Sequence, residues 1–155
     1  MTDVELTRAL ERGEIANEDF HHCSHLHVAW VYLSESSCVD EAASKMRRTL
    51  RRFAASAGKA EKYHETITLF WVHFLARMRT VRSGESLERI VEANPRLLEK
   101  NFSLAYYSSK RLFSDTARMS WVEPDLKPLS ADGTAFHSPS SPGHAPDRIV
   151  SRRTA

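Results

Sequence analysis

The sequence predicts an all-α protein: a compact helical bundle over residues 1–129 with a disordered C-terminal tail over residues 130–155. Three observations predict it. Apolar residues recur at three- and four-residue spacing as far as residue 121. Ser, Thr, Asn and Gly stand where those runs begin or end. From Ser130 onward the chain is rich in Ser, Pro, Gly and Ala, with Phe136, Ile149 and Val150 as its only large apolar residues. A tail with so little to bury does not offset the entropy of its own ordering. No stretch alternates strictly enough for a strand, and there is no internal repeat.

The elements follow in order. Thr2-Asp3-Val4-Glu5 has the capping-box pattern, with Val4, Leu6 and Leu10 behind it and Gly13 as a stop. Asn17, followed by Glu18 and Asp19, reads as the cap of a second helix running to about Ser34. Its apolar stripe is His22, Leu26, Ala29 and Leu33, with His25 beside Leu26. Ser37 is the expected cap of a third helix that buries Ala43, Met46, Leu50 and Phe53 and stops at Gly58. A fourth is expected from about Tyr63 to Arg79, burying Ile67, Trp71, Phe74, Leu75 and Met78. Leu87, Ile90 and Val91 predict a short helix broken at Asn94-Pro95, and Pro95 suits the first turn of another at Arg96–Leu98. Ser108 and Ser114 read as caps of short helices ending near Trp121. Pro124 and Pro128 then make Val122–Leu129 an extended strap over the bundle.

Composition narrows the function classes. The chain has 155 residues, 41% apolar and 27% charged. It is long enough to bury a core without disulfides or a structural metal. Lys and Arg total 22 against 20 Asp and Glu, a net charge of +2. That balance makes no electrostatic case for nucleic acid or an anionic membrane. Cys23 and Cys38 are the only cysteines and there is no CxxC, which removes disulfide-framework, zinc-ribbon and redox readings. The first thirteen residues do not read as a signal peptide, and no apolar stretch approaches a membrane span. The expectation is a cytoplasmic protein with no membrane and no nucleic-acid partner.

Histidine is the residue type that stands out. There are eight, and His21, His22, His25 and His27 fall within seven positions. His22 and His25, three apart on a helix, project to the same side. His64, in Tyr63-His64-Glu65-Thr66, is expected on a helix whose neighbours Ile67, Thr68 and Trp71 mark the buried side. Three imidazoles from two packed helices make an ordinary ligand set for zinc or iron. The expected metal ligands are therefore His22, His25 and His64, holding a divalent transition metal (Fe or Zn), with His64 and Glu65 as the catalytic pair. Tyr63, Thr66 and Thr68 are hydroxyl donors able to orient an imidazole through its second nitrogen. The same residues also fit a metal-free acid–base site, or a hydrogen-bonded polar cluster within the core. The Glu-x-x-His spacings at Glu18–His21 and Glu61–His64 fit a dinuclear carboxylate bundle. That site needs two further Glu on apolar faces, and neither Glu41 nor Glu88 provides one.

The run Phe20-His21-His22-Cys23-Ser24-His25-Leu26, with Ala29-Trp30, Tyr32-Leu33 and then Lys62-Tyr63-His64-Glu65-Thr66-Ile67-Thr68, resembles an uncharacterised family of small bacterial proteins with an HxxHL…YHET(I/L)T signature. Tyr106-Tyr107-Ser108 and Trp121-Val122-Glu123-Pro124-Asp125-Leu126 are similar to its C-terminal part. The resemblance covers residues 15–129 and implies that His22, His25, His64 and Glu65 belong together. It implies no activity.

Other features read as scaffold. Arg47, Arg48, Arg51 and Arg52 form a basic helix face, expected to be solvated rather than to bind nucleic acid. Cys23 reads as small core filler, and Trp30, Trp71, Tyr106 and Tyr107 as core packing rather than an aromatic pocket. No GxSxG and no Gly-rich phosphate loop is present. The leading expectation is a small enzyme with a His-rich, metal-dependent pocket acting on a small-molecule substrate. The alternative is a non-catalytic helical module binding a small ligand or partner protein. A regulatory protein acting on nucleic acid comes third.

Overall fold

A computed structural model describes residues 1–129, and the tail expected over residues 130–155 lies outside the described residues. Among the described residues every regular element is helical. They comprise α1 (Asp3–Glu11), α2 (His22–Glu35), α3 (Val39–Ser56), α4 (Glu65–Val81), α5 (Leu87–Ala93), α6 (Ser109–Leu112) and α7 (Asp115–Met119). Single 3-10 turns at Asn17–Asp19, Ala60–Lys62, Pro95–Leu98 and Phe102–Ala105 connect them. No helix among the described residues is long and apolar enough to cross a membrane.

Local chemistry sets most of the ends. The Thr2 hydroxyl accepts from the Glu5 amide at 3.1 Å while the Glu5 carboxylate accepts from the Thr2 amide at 2.6 Å, closing the expected capping box on α1. Gly13 and Gly58 follow α1 and α3 with φ of +74° and +70°, a backbone that side-chain-bearing residues rarely adopt. Ser86, Ser108 and Ser114 cap α5, α6 and α7 through their side chains.

Three starts differ from the sequence expectation. Asn17 opens only a 3-10 turn, and α2 begins at His22 after His21. Cys38, not Ser37, is the cap position of α3; Ser37 instead gives its amide and hydroxyl to Glu41. Tyr63 lies before α4, whose cap is His64 itself. Cys23, the second residue of α2, is exposed rather than core filler.

α4 is the central element and packs on α2, α3 and α7. Its Phe70 and Leu75 are fully buried, and Trp71 and Phe74 nearly so. Phe70, Trp71 and Phe74 form one aromatic cluster with Phe102 and Tyr106, in tilted and edge contacts favoured by the ring quadrupole. Trp71, Tyr106 and Tyr107 are thus core residues as expected, while Trp30 is half-buried beneath the Arg79 guanidinium. α2 buries Leu26, Val28, Ala29, Val31 and Tyr32 around most of its circumference, since α1, α3 and α4 all contact it.

The strap after α7 is non-helical and crosses the bundle. Its anchors are buried Trp121 and Leu129, a Tyr107 hydroxyl donated to the Val122 carbonyl at 2.8 Å, and a Leu126 amide donated to the Tyr106 carbonyl at 2.9 Å. Thr66, fully buried on α4, donates to the Ser120 carbonyl at 2.9 Å and accepts from the Val122 amide at 3.2 Å. Its hydroxyl therefore serves the strap rather than an imidazole.

Candidate functional site

Of the histidines singled out by the sequence, His22 and His25 stay near each other with different ring partners, and His64 lies elsewhere. His22 lies on the first turn of α2 and its Nε2 donates to the Leu97 carbonyl at 3.0 Å. Its ring packs 4.9 Å from that of Trp71 on α4. Trp71 is two turns, about 10 Å of rise, beyond the start of α4 where His64 sits. His25 turns toward Phe20, ring centroids 4.4 Å apart, and Phe20 in turn meets Phe53 of α3. His22 and His25 remain neighbours on one helix, and His64 does not join them.

His64 has no nitrogen to spare. Its Nδ1 accepts from the Ile67 amide at 3.1 Å, satisfying one of the orphan donors at the start of α4. Its Nε2 donates to the Leu112 carbonyl at 2.7 Å, tying α4 to α6. These two bonds fix the tautomer, and burial lowers the imidazole pKa, keeping it neutral. His22, His25 and His64 do not bring ligand atoms within 4.8 Å of one another as a set. The expected three-imidazole centre is not assembled, because the residue meant to complete it is a helix cap. Replacing His64 by Ala is expected to cost about 2 kcal/mol, one cap and one hydrogen bond, with helical content kept. His64→Asn restores the cap alone and should recover about half. Thermal melts of the three proteins read this directly, and no change in His64→Ala would contradict it.

Glu65, the other expected catalytic residue, is 8% exposed and held from several sides. Arg47 Nε lies 3.0 and 2.9 Å from its two oxygens, and the Tyr63 hydroxyl donates to it at 2.6 Å. Arg51 stands 3.9 Å away, with its guanidinium over the Tyr63 ring. Burial, followed by the bond to Glu65, raises the Tyr63 phenol pKa well above its ordinary range. Arg47 is therefore the partner of a buried carboxylate rather than part of a solvated face, while Arg51 stays exposed as expected and only borders the pair.

Arg48 and Arg52, on the same helix, behave differently. They line a cleft of about 310 Å³ where α1, α2 and α3 meet. At its floor the buried Tyr32 hydroxyl donates to Glu11 at 2.7 Å and lies 2.7 Å from the buried Thr49 hydroxyl. Burial pushes the Tyr32 phenol up to about 12. Arg8 spans Glu11 and Glu35, which hold its guanidinium charged far above neutral pH. Arg48 and Arg52 have no carboxylate partner among the described residues. Arg52 and Glu11 also border a second cleft of about 430 Å³, walled by Leu10, Ile15 and Phe53.

This second region escaped the sequence reading. Arg8, Glu11, Tyr32, Glu35 and Arg52 come from three helices, and their spacing forms no local motif. The one available signal was Thr49, a polar residue at a core position of α3 beside Met46 and Leu50. Comparison with known proteins finds no matching family model, no similar curated protein and no similar solved structure.

Proposed function

We propose that this protein is a non-catalytic helical module that binds a small anion carrying an apolar body. What carries this reading is the pair Arg48 and Arg52, two guanidinium groups lining a cleft with no carboxylate of their own. Around that cleft stand the cations Arg8, Lys45, Arg48 and Arg52 against the carboxylates Glu11 and Glu35. Arg8 engages both Glu11 and Glu35, and Lys45 pairs with Glu41 at 3.6 Å, so it is Arg48 and Arg52 that leave the balance positive. Arg forks suit carboxylate and phosphate oxygens, and partial enclosure strengthens the attraction. The adjoining cleft supplies an apolar wall in Leu10, Ile15 and Phe53, so the ligand class is a short-chain carboxylate or phosphate ester.

The leading alternative, a His-based metalloenzyme, draws less support because His64 and Glu65 are both committed to structural hydrogen bonds. Titration calorimetry with hexyl phosphate tests the proposal, with inorganic phosphate as the headgroup control. Hexyl phosphate is expected to bind more tightly than inorganic phosphate. Arg48→Gln with Arg52→Gln is expected to weaken it at least tenfold, since each lost charged hydrogen bond is worth about 1.5–3 kcal/mol. Both positions are exposed, so stability should stay within about 0.5 kcal/mol. Absence of binding, or equal binding by the double variant, would reject the reading.

A further inference from the structure

The geometry points to a binding site for a divalent transition cation of the zinc class at Asp3, His27 and Glu88, independent of the anion cleft. Asp3 is the first residue of α1, His27 lies in the second turn of α2 and Glu88 in the first turn of α5. One ligand atom from each falls within 4.8 Å of the other two. Among the described residues this is the one group of three such side chains so placed. The three come from helices far apart in sequence, so only the fold brings them together.

A second observation concerns the His27 ring. Its Nδ1 is fully buried and makes no hydrogen bond, although Asp3 Oδ2 lies 2.9 Å away. The distance suits a hydrogen bond and the direction does not. A buried ring nitrogen left in this way normally costs free energy. A cation between the nitrogen and the carboxylate resolves the mismatch, because both then act as electron-pair donors. Ligand atoms sharing one cation at bonds near ~2.1 Å stand roughly 3–3.5 Å apart. The Asp3–His27 pair is already about that close. Glu88 is exposed and on a flexible stem, free to close the remaining gap.

The donor chemistry selects the ion. One imidazole with two carboxylates is a nitrogen–oxygen set of borderline hardness, suited to Zn²⁺, Co²⁺ or Mn²⁺ and lacking the thiolates that favour Cu⁺. Neutral imidazole with two carboxylates balances a divalent charge. Three protein ligands leave at least one coordination position for water. Bound there, the ion pins the N-terminus of α1 to α2 and α5.

The test uses the full untagged chain, with Co²⁺ followed by its visible absorption and Zn²⁺ by competition against a chromophoric chelator. One equivalent is expected to bind, with a higher melting temperature in excess Zn²⁺. His27→Ala and Glu88→Gln are each expected to weaken binding at least tenfold. Glu88→Gln keeps an exposed side chain of the same size, so it remains informative should His27→Ala fold poorly. His22→Ala, which disturbs the neighbouring histidines, is expected to leave that equivalent in place. No stoichiometric binding overturns the site, leaving Asp3 and His27 as a plain ion pair. Binding undiminished in Glu88→Gln, or abolished in His22→Ala, also overturns it by placing the ion at the other histidines.

Discussion

Arg47→Leu is expected to lower stability by about 2–3 kcal/mol, because it strands a buried carboxylate. Glu65 is nearly inaccessible, and Arg47 supplies its closest positive charge. Removing one partner of a buried ion pair typically costs about 3–5 kcal/mol, more than the pair itself contributes. Arg51, at 3.9 Å and half exposed, swings inward and reduces the loss. The Tyr63 hydroxyl continues to donate to one oxygen, but a single neutral hydrogen bond does not replace a guanidinium. For a bundle of this size the melting temperature should fall by roughly 5–12 °C. Adding Glu65→Gln to Arg47→Leu removes the stranded charge and is expected to recover part of the loss. The sum of the single effects should therefore exceed the effect of the double variant. Strict additivity, or a melt unchanged in Arg47→Leu, would show that Arg47 and Glu65 are only incidental neighbours.

The same pair shows where sequence reasoning stops. Helical periodicity places Arg47 and Arg51 opposite Met46 and Leu50, and a run of four arginines in six positions reads as solvated. Glu65 also begins a helix, where an acid is favoured for its own sake. Neither position announces that the two helices meet at that end, since the meeting depends on the 3-10 turn at Ala60–Lys62. The scaffold was more legible, because its signals are local. Thr2, Ser108, Ser114, Gly13 and Gly58 each act within a few residues of themselves. Trp71, Phe74 and Leu75 follow the helical period of the buried face. His64 marks the boundary between these cases. Its apolar neighbours correctly placed it toward the interior, yet an imidazole can cap a helix as well as ligate a metal. Only the carbonyl of Leu112, 48 residues away, decides between them. His27 gave no local sign either, since its partners Asp3 and Glu88 are distant in sequence.

Acidification is expected to destabilise the protein between pH 6.5 and 4, with His25 as a principal cause. Burial pushes its imidazole pKa down to about 4, and nearby His22 and Lys100 push in the same direction. In the unfolded chain the ring titrates near its ordinary value of about 6.5. Above that pH both states hold it neutral and it contributes no pH dependence. Below it the unfolded chain takes up a proton that the folded chain refuses, so stability falls as pH falls. The fall levels off once the folded ring also protonates, near pH 4. At pH 4.5 the loss from this one ring is on the order of 2–3 kcal/mol. His73, likewise pushed by burial to about 4 against the opposing pull of Asp40, adds a loss of the same sign. Carboxylates protonate in the lower part of this range, so the wild-type profile alone does not isolate His25. His25→Leu does, because it keeps an apolar side chain against Phe20 and removes the proton site. Urea unfolding at pH 7.5 and pH 4.5 should show the wild type losing about 2–3 kcal/mol more than His25→Leu. Parallel losses in the two proteins would mean that His25 meets solvent in the folded state and protonates as freely there as in the unfolded chain.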